Sequence, residues 1–152
     1  MQMKIQFAGR QDIPQLLKLY RHLDPDDKET PIADALRNWE QLMLYVGSNI
    51  LIGCVDGNIV TTCTLIVIPN LTRGGAPYAL IENVVTDSAY RNRGYGKAVL
   101  RAAAEAAWQA DCYKVMLLTG SKRPATLKFY QDAGFEQSKT GFQMRKLPPR
   151  VS

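Results

Sequence analysis

The sequence Arg91-Asn92-Arg93-Gly94-Tyr95-Gly96 lies between two runs of opposite character. The β-branched run over residues 78–86 predicts a strand, and the apolar spacing after Lys97 predicts an amphipathic helix. Gly94 permits a backbone conformation closed to other residues, and Gly96 lets a ligand approach the main chain closely. The free N–H groups at the helix start, with the helix dipole behind them, then form an anion site.

Three positive side chains, Arg91, Arg93 and Lys97, surround this site, so a pyrophosphate is a chemically natural occupant. The alternative is a tight turn without a ligand, because short glycine motifs recur by chance. The dinucleotide fingerprint G-x-G-x-x-G fails, since Val99 stands at its third glycine. A P-loop fails as well, because Ala98 after the lysine offers no hydroxyl for a metal.

On both sides of this segment, the residue patterns predict secondary-structure elements in the order β-α-α-β-β-β-α-β-α-β-β. Asp12 and Gln15 predict a capping box on the first helix, and Thr30 is the expected N-cap of the second. Asp56-Gly57-Asn58 predicts a hairpin, and the residues from Phe135 onward predict two short strands. The expected fold is α/β, of α+β type, with a mixed, mostly antiparallel central sheet of about six to seven strands flanked by four helices.

The 152 residues fit one domain over 1–152, with 46% hydrophobic and 22% charged residues and no biased tract. The N-terminus lacks the apolar region of a signal peptide, and no apolar run reaches the length of a membrane span. Three cysteines lack metal-ligand spacing, and their odd number argues against a disulfide framework. These features predict a cytoplasmic protein with no metal and no membrane association.

The net charge of +5 raises the alternative of a nucleic-acid-binding domain. The basic residues are spread along the chain, whereas nucleic-acid binders usually show a dense stripe or a recognisable module. A polyanionic cofactor needs fewer cations, placed near particular backbone amides. We therefore expect an anionic cofactor and no nucleic-acid partner.

Two segments together resemble a known family. Residues 81–86 (IENVVT) followed by residues 90–100 (YRNRGYGKAVL) resemble the core motif of the GCN5-related N-acetyltransferase (GNAT) superfamily. Residues 125–135 (ATLKFYQDAGF) are similar to that family's second signature, a helix followed by a glycine and phenylalanine. The order of elements matches the family over nearly the whole chain.

The resemblance implies acetyl-CoA as co-substrate and suggests where it would lie. In the family, the motif strand and its neighbour splay apart, and the pantetheine arm lies in the gap. Ser121 stands where many relatives have an asparagine, and would make a weaker form of the same contact. The expected cofactor-binding residues are Val84, Val85, Arg91, Asn92, Arg93, Gly94, Tyr95, Gly96, Lys97 and Ser121.

Two catalytic residues are expected from the same resemblance. Tyr130 would be the general acid near the thioester sulfur, and its alternative role is an amphipathic aromatic at the sheet surface. Glu82 would accept the proton of the amine directly or through water, because a free alkylamine is mostly protonated at neutral pH. Its alternative is a solvated carboxylate. The backbone N–H of Val84 or Val85 would stabilise the oxyanion.

The resemblance predicts an N-acetyltransferase that moves acetyl from acetyl-CoA to a primary amine of a small molecule or protein in a ternary complex. A non-catalytic acyl-CoA sensor on the same fold is the alternative. In the family the connection after the first helix often forms one wall of the acceptor pocket, where the acidic residues 24–29 would attract a cationic amine; the alternative is a solvated polar loop. Residues 81–85 and 112–115 are similar to the hexosamine-phosphate branch, so an amino sugar is one candidate acceptor. A homodimer is common in such enzymes, and the sequence leaves the oligomeric state open.

Overall fold

The structure, a computed structural model, describes residues 2–149. Its centre is a five-stranded sheet in which the strands follow one another in chain order. The strands are β1 (Lys4–Phe7), β2 (Asn49–Val55), β3 (Asn58–Ile68), β4 (Tyr78–Thr86) and β5 (Val115–Leu117). The helices are α1 (Ile13–Tyr20), α2 (Ile32–Met43), α3 (Tyr95–Gln109) and α4 (Pro124–Asp132).

The hairpin between β2 and β3 forms where the sequence predicts it. Asp56 and Gly57 have φ values of 49° and 78°, which is the left-handed pair that a tight hairpin turn requires. The antiparallel register then runs from Val55 and Asn58 to Asn49 and Leu65. This hairpin fixes the long strand β3 in the middle of the sheet.

Helix α3 is the crossover that makes the last strand pair parallel. β4 pairs antiparallel with β3 and parallel with β5, as the strand–helix–strand pattern predicts. One core lies between the sheet and α3, where Leu65, Ile81 and Leu100 are almost fully buried. A second core lies on the opposite face, where α1 contributes Leu16 and Leu19.

The predicted capping box at the start of α1 is wrong. Asp12 instead accepts a hydrogen bond from the backbone N–H of Gly9 at 2.8 Å and closes a short 3-10 turn before the helix. The side chain of Gln15 is used elsewhere, because its Oε1 accepts from the backbone N–H of Ile59 at 3.1 Å. In the second helix, Pro31 and not Thr30 is the N-cap, so α2 begins one residue later than predicted.

The two strands predicted after Phe135 are also absent from the described residues, so the sheet has five strands and not six or seven. Residues 136–149 are exposed and form no helix or strand. The alternation of Phe142 and Met144 fits a strand, but a strand needs a neighbour to satisfy its backbone groups. Phe142 and Met144 are instead 92% and 100% exposed.

None of the helices within residues 2–149 has the length and apolar character needed to cross a membrane.

Candidate active site

The pairing of β3 with β4 is interrupted in the middle of the sheet. Thr62 pairs with Val85 and Thr64 pairs with Glu82, so Asn83 and Val84 together oppose a single residue, Cys63. This is a β-bulge, and it takes backbone groups of β4 out of the regular ladder. The bulge therefore makes main-chain donors available beside the predicted pantetheine position.

The sequence analysis missed the residue that forms this bulge. Asn83 has a φ of 53°, a left-handed conformation that asparagine adopts more readily than most residues. The signal that would have found it is the pair of adjacent valines, Val84 and Val85, which breaks the strand's alternation. Val85 is buried against the core on the α1 side, whereas Val84 packs against the core on the α3 side.

A gap opens between β4 and β5 just before the bulge. Their parallel pairing covers Ala79 to Ile81 and ends where Ile81 meets Leu117, the last residue of β5. β4 continues to Thr86 without a neighbour on that side among the described residues. The separation of the two strands thus leaves the bulge accessible from the β5 side.

The segment between β4 and α3 has the geometry of an anion-binding loop. Asn92 and Gly94 have φ values of 61° and 80°, and the first bond inside α3 runs from Ala98 N to Gly94 O at 3.0 Å. The N–H groups of Tyr95, Gly96 and Lys97 precede that bond, at the positive end of the helix dipole. A Cβ at Gly94 would meet no atom within 4 Å, so the loop is open to a ligand on this side.

Two arginines hold the shape of this loop. Arg91 donates from Nε to the carbonyl oxygen of Thr86 at 3.1 Å. Arg93 donates to the carbonyl oxygen of Ala89 at 3.2 Å, and its guanidinium lies 5.3 Å from the ring centre of Tyr90. Their positive charges stay beside the loop while their hydrogen bonds fix its backbone.

The space at Gly96 is occupied by the protein itself. A Cβ there would lie 3.1 Å from both Phe129 Cζ and Thr86 Oγ1. Gly96 is buried, and its lack of a side chain lets α4 approach the start of α3. The glycine therefore brings the second signature close to the anion-binding loop.

Tyr130 follows Phe129 on α4 and packs against the core on the α3 side. The two rings are tilted, with centroids 5.0 Å apart. Burial raises the pKa of the Tyr130 phenol above its ordinary value of 10.0, with smaller contributions from Cys63 and Glu82. The phenol is therefore protonated at neutral pH and close enough to Glu82 to sense its charge.

Glu82 is exposed and lies on the sheet face opposite Ile81, which is buried towards α3. Its neighbour in the sheet is Thr64, which lies near Tyr20 at the end of α1, where burial raises the pKa of the Tyr20 phenol and the Thr64 side chain partly offsets that rise. Tyr20, which the sequence analysis did not select, thus joins the end of α1 to the strand pair that carries Glu82.

His22 lies against the beginning of the anion-binding segment. Its Nδ1 accepts from the backbone N–H of Ser88 at 3.3 Å, and its Nε2 lies 3.8 Å from Asp87 Oδ2. Asp87 in turn accepts from the backbone N–H of Ala89 at 2.8 Å and caps a 3-10 turn. The end of α1 is therefore connected to the loop that leads into α3.

Ser121 lies in the loop between β5 and α4, and its hydroxyl already has partners in the protein. Its Oγ bonds with Thr126 Oγ1 at 3.1 Å and accepts from the backbone N–H of Arg123 at 3.3 Å. Ser121 thus stabilises the start of α4, and the predicted cofactor contact stays a prediction. No group of three or more metal-ligating side chains occurs within residues 2–149.

Unpaired N–H groups at the start of α3, an interrupted strand that leads into that helix and a partly buried tyrosine on α4 are together typical of an acyl-CoA-binding α/β protein. The model of the Acetyltransferase (GNAT) family matches residues 13–135. The chain belongs to the GNAT acetyltransferase family, which uses acetyl-CoA.

Three relatives give the range of similarity. A solved structure named "Putative acetyltransferase from Agrobacterium tumefaciens str. C58" is 48% identical, with a TM-score of 0.88 over 94% of this chain and 99% of that one. A glucosamine 6-phosphate N-acetyltransferase of Trypanosoma brucei brucei is 40% identical over 79 residues, which are 52% of each chain. A "Probable glucosamine 6-phosphate N-acetyltransferase 2" of Oryza sativa subsp. japonica is 37% identical over 89 residues, 59% of this chain and 51% of its own. The chain spans about half the length of these two curated relatives.

Proposed function

We propose that this protein transfers the acetyl group of acetyl-CoA to a primary amine by direct attack in a ternary complex, within one domain over residues 1–152. The observation that carries the proposal is the bulge at Asn83 and Val84 in β4, the strand that leads into the anion-binding loop. Acetyl transfer needs a fixed donor for the carbonyl oxygen and an acid for the departing thiolate. In this proposal Val84 would supply the donor and Tyr130 the acid.

The anion-binding loop would hold the pyrophosphate of the cofactor. The first N–H groups of α3 have no partner within the helix, and the helix dipole favours negative charge beside them. The side chains of Arg91, Arg93 and Lys97 add positive potential around it. When bound, acetyl-CoA supplies the activated thioester. The protein's contribution is to position it along β4.

Backbone donors at the bulge would stabilise negative charge on the carbonyl oxygen. Val85 pairs with Thr62, so this residue is within the regular ladder, and its carbonyl oxygen also accepts from the Thr61 hydroxyl at 3.2 Å. Val84 is outside the ladder and therefore the better of the two predicted donors. A preorganised donor of this kind needs no rearrangement when charge develops.

Tyr130 would donate the proton that the thiolate sulfur receives. A phenol with a raised pKa keeps its proton at neutral pH, which is the form that a general acid needs. Glu82 would take the proton that the amine loses, directly or through water. Its charge contributes to the raised pKa of Tyr130, which supports the closeness of the two groups.

An amino sugar phosphate is the acceptor that we propose, because both curated relatives are named for glucosamine 6-phosphate. The acceptor would enter on the α1 side, where Glu82 is exposed and the 21–30 loop begins. That loop is acidic, and Asp24 accepts from the backbone N–H of Asp26 at 3.0 Å. Its negative charge favours the amine and opposes a phosphate, so phosphorylated and free sugars need separate assays.

The test follows release of free thiol from acetyl-CoA with glucosamine 6-phosphate, glucosamine and a polyamine in parallel. We expect turnover with an amino sugar and at least tenfold lower kcat/KM with the polyamine. If only the polyamine is acetylated, the proposed amino sugar acceptor is wrong, but the proposed acetyl transfer to an amine is still supported. Tight binding of coenzyme A without turnover of any amine would overturn the reaction and indicate a sensor.

We further propose that the protein works in the cytoplasm as a homodimer. The three cysteines are free thiols in the structure, as expected in a reducing compartment. Fractionation of the source cells and sedimentation of the full chain test the two statements separately. A compartment with an oxidising lumen would contradict the first, and a monomer at micromolar concentration would contradict the second.

A further inference from the structure

The cofactor side and the acceptor side of the site meet at one short turn. β4 is followed by the 3-10 turn Ser88–Tyr90, which we call the junction turn. The anion-binding loop follows it directly along the chain. On its other side lies His22, at the end of α1 where the 21–30 loop begins. The junction turn therefore touches both the segment proposed for the cofactor and the segment proposed for the acceptor.

Two hydrogen bonds hold the junction turn from the cofactor side. Arg93 donates to the carbonyl oxygen of Ala89 at 3.2 Å, and Asp87 accepts from the backbone N–H of Ala89 at 2.8 Å. Arg93 also adds positive potential to the anion-binding loop, so a bound pyrophosphate would attract the side chain that holds Ala89. The position of the junction turn would therefore depend on whether the loop holds the cofactor.

His22 holds the junction turn from the acceptor side. Its Nδ1 accepts from the backbone N–H of Ser88 at 3.3 Å, and an amide nitrogen can only donate, so Nδ1 carries no proton. Its Nε2 lies 3.8 Å from Asp87 Oδ2, which is too long for a hydrogen bond but leaves an electrostatic attraction. Both side chains are only 30% exposed, so water screens this attraction incompletely. The two contacts together fix the orientation of the ring.

Contacts inside the 21–30 loop connect its acidic side chains to the part that carries His22. Arg21 forms an ion pair with Glu29, which joins the two ends of the loop. Asp24 accepts from the backbone N–H two residues further on at 3.0 Å. Because the loop has these internal contacts, a displacement of the His22 ring would be transmitted to the carboxylates that line the proposed acceptor pocket.

We propose that His22 is a positioning residue that couples the binding of acetyl-CoA to the binding of the amine. With the cofactor in the anion-binding loop, the junction turn and His22 hold the 21–30 loop in place as a wall of the acceptor pocket. Such a coupling is reciprocal, so each ligand raises the affinity for the other by the same factor. This role rests on the acetyl transfer proposed above, and His22 acts through Ser88 and not on the reacting atoms.

Hydrogen exchange with coenzyme A tests the connection without any acceptor. In the parent, coenzyme A should slow amide exchange in the 21–30 loop about threefold, the size of effect expected for one hydrogen bond. His22→Ala should lose this protection and keep the protection at the start of α3. Arg21→Ala is the matched control, because it removes an ion pair within the loop and leaves the bond to Ser88. Equal protection of the loop in His22→Ala and the parent would overturn the proposal.

Two substitutions remove the same hydrogen bond from its opposite ends. His22→Ala removes the acceptor, and Ser88→Pro removes the donor, since proline has no N–H. Proline suits this position, because Ser88 is the first residue of the turn and Asp87 (φ −51°, ψ 132°) already has the extended backbone that a following proline requires. His22→Asn keeps an acceptor, since the asparagine oxygen is bonded to Cγ as Nδ1 is. Circular dichroism confirms that each variant is folded.

Steady-state kinetics at saturating acetyl-CoA measure the coupling, with the amine that shows the highest kcat/KM in the parallel assay. His22→Ala and Ser88→Pro should each raise the KM of the amine about three- to tenfold and change kcat by about twofold at most. The double variant should be no worse than either single one, because both remove one bond. His22→Asn should recover part of the loss.

Two kinetic results would each overturn the coupling role of His22: fully additive effects of the two substitutions, or a fall in kcat as large as the rise in KM. If no amine is acetylated, the proposed reaction is wrong. In that case the hydrogen-exchange comparison of His22→Ala, Arg21→Ala and the parent still decides whether His22 connects the two segments.

Discussion

Arg91 donates from Nε to the carbonyl oxygen of Thr86 across five residues, at a distance of 3.1 Å. This bond ties the anion-binding loop to the end of β4, the strand that carries the bulge. The loop and the bulge thus keep a fixed relation to each other. In the proposed binding mode a cofactor held at one end reaches the other, so this bond would set the distance over which the pantetheine arm lies.

Arg91→Ala should weaken coenzyme A binding roughly tenfold, because it removes a charge-assisted hydrogen bond worth about 1.5 kcal/mol along with positive potential. Isothermal titration of coenzyme A measures the effect. Arg37→Ala is the matched control, since Arg37 is an exposed arginine of α2 paired with Asp34. Equal affinities for coenzyme A in the parent, Arg91→Ala and Arg37→Ala would contradict the role given to Arg91.

Gly96→Ala should lower the free energy of unfolding by about 1–3 kcal/mol, the usual range for overpacking. The added Cβ would lie 3.1 Å from Phe129 Cζ, so adding Phe129→Leu should recover part of the loss. Urea unfolding measures both. Gly120→Ala is the control, because a Cβ at Gly120 meets no atom within 4 Å and its loss should be small. A double variant as unstable as the sum of its parts would show that the two positions are independent.

Tyr130→Phe should lower kcat by about 10²–10⁴ and change the coenzyme A dissociation constant little, because only the proton transfer is lost. The raised pKa of the phenol also predicts that the parent's activity persists into the alkaline range and falls only above about pH 10. Steady-state kinetics across this range measure both. Tyr113→Phe is the control, since the Tyr113 ring packs below Arg73 and Lys114. An unchanged kcat would remove Tyr130 from the mechanism.

The stability of the protein should fall as the pH rises above about 9. Burial raises the pKa of the Cys63 thiol from 9.0 to about 12. Between these values the unfolded chain loses this proton and the folded protein keeps it, so the free energy of unfolding decreases by about 1.4 kcal/mol per pH unit. Below about pH 9, the pKa of this thiol in the unfolded chain, the full stabilisation from the protonated Cys63 is present.

Urea unfolding at about pH 8, 9.5 and 10.5 measures this dependence. The other cysteines and the buried tyrosines add slopes of the same sign, because burial raises their pKa values too. Cys63→Ala should therefore show a flatter profile, and Cys54→Ala, at a partly exposed position, should flatten it less. Parallel profiles for Cys63→Ala and the parent would contradict the assignment.

Local chemistry explains which elements the sequence predicts. The hairpin follows from Asp56-Gly57, whose backbone preferences act within a few residues, and α3 follows from the spacing of its apolar face. The bulge at Asn83 leaves a signal in the adjacent valines Val84 and Val85, but the residue that it opposes depends on how β3 and β4 are aligned. Gln15 is a similar case, since its side chain finds a partner 44 residues away and not at its own helix start.

The C-terminal residues show the opposite case, in which the local pattern predicts an element that does not form. The two strands predicted after Phe135 do not form, because an alternating pattern such as that of Phe142 and Met144 does not supply a pairing partner. For the site, the motifs identify Tyr130 and the loop, and the structure adds why Gly96 must be small and what Arg91 and Ser121 bond to. The reason is that each of these roles depends on a neighbour from a distant part of the chain.

The chain-order arrangement of the five strands has a consequence for biosynthesis. Because each strand pairs with the one made just before it, the sheet can grow in the order of translation, starting at the N-terminus. β1 to β4 are complete when the ribosome has added Thr86, but the face that α3 covers stays bare until Gln109 has emerged. During that interval the nascent chain exposes the apolar residues of β3, and a chaperone that holds extended apolar strands would act there.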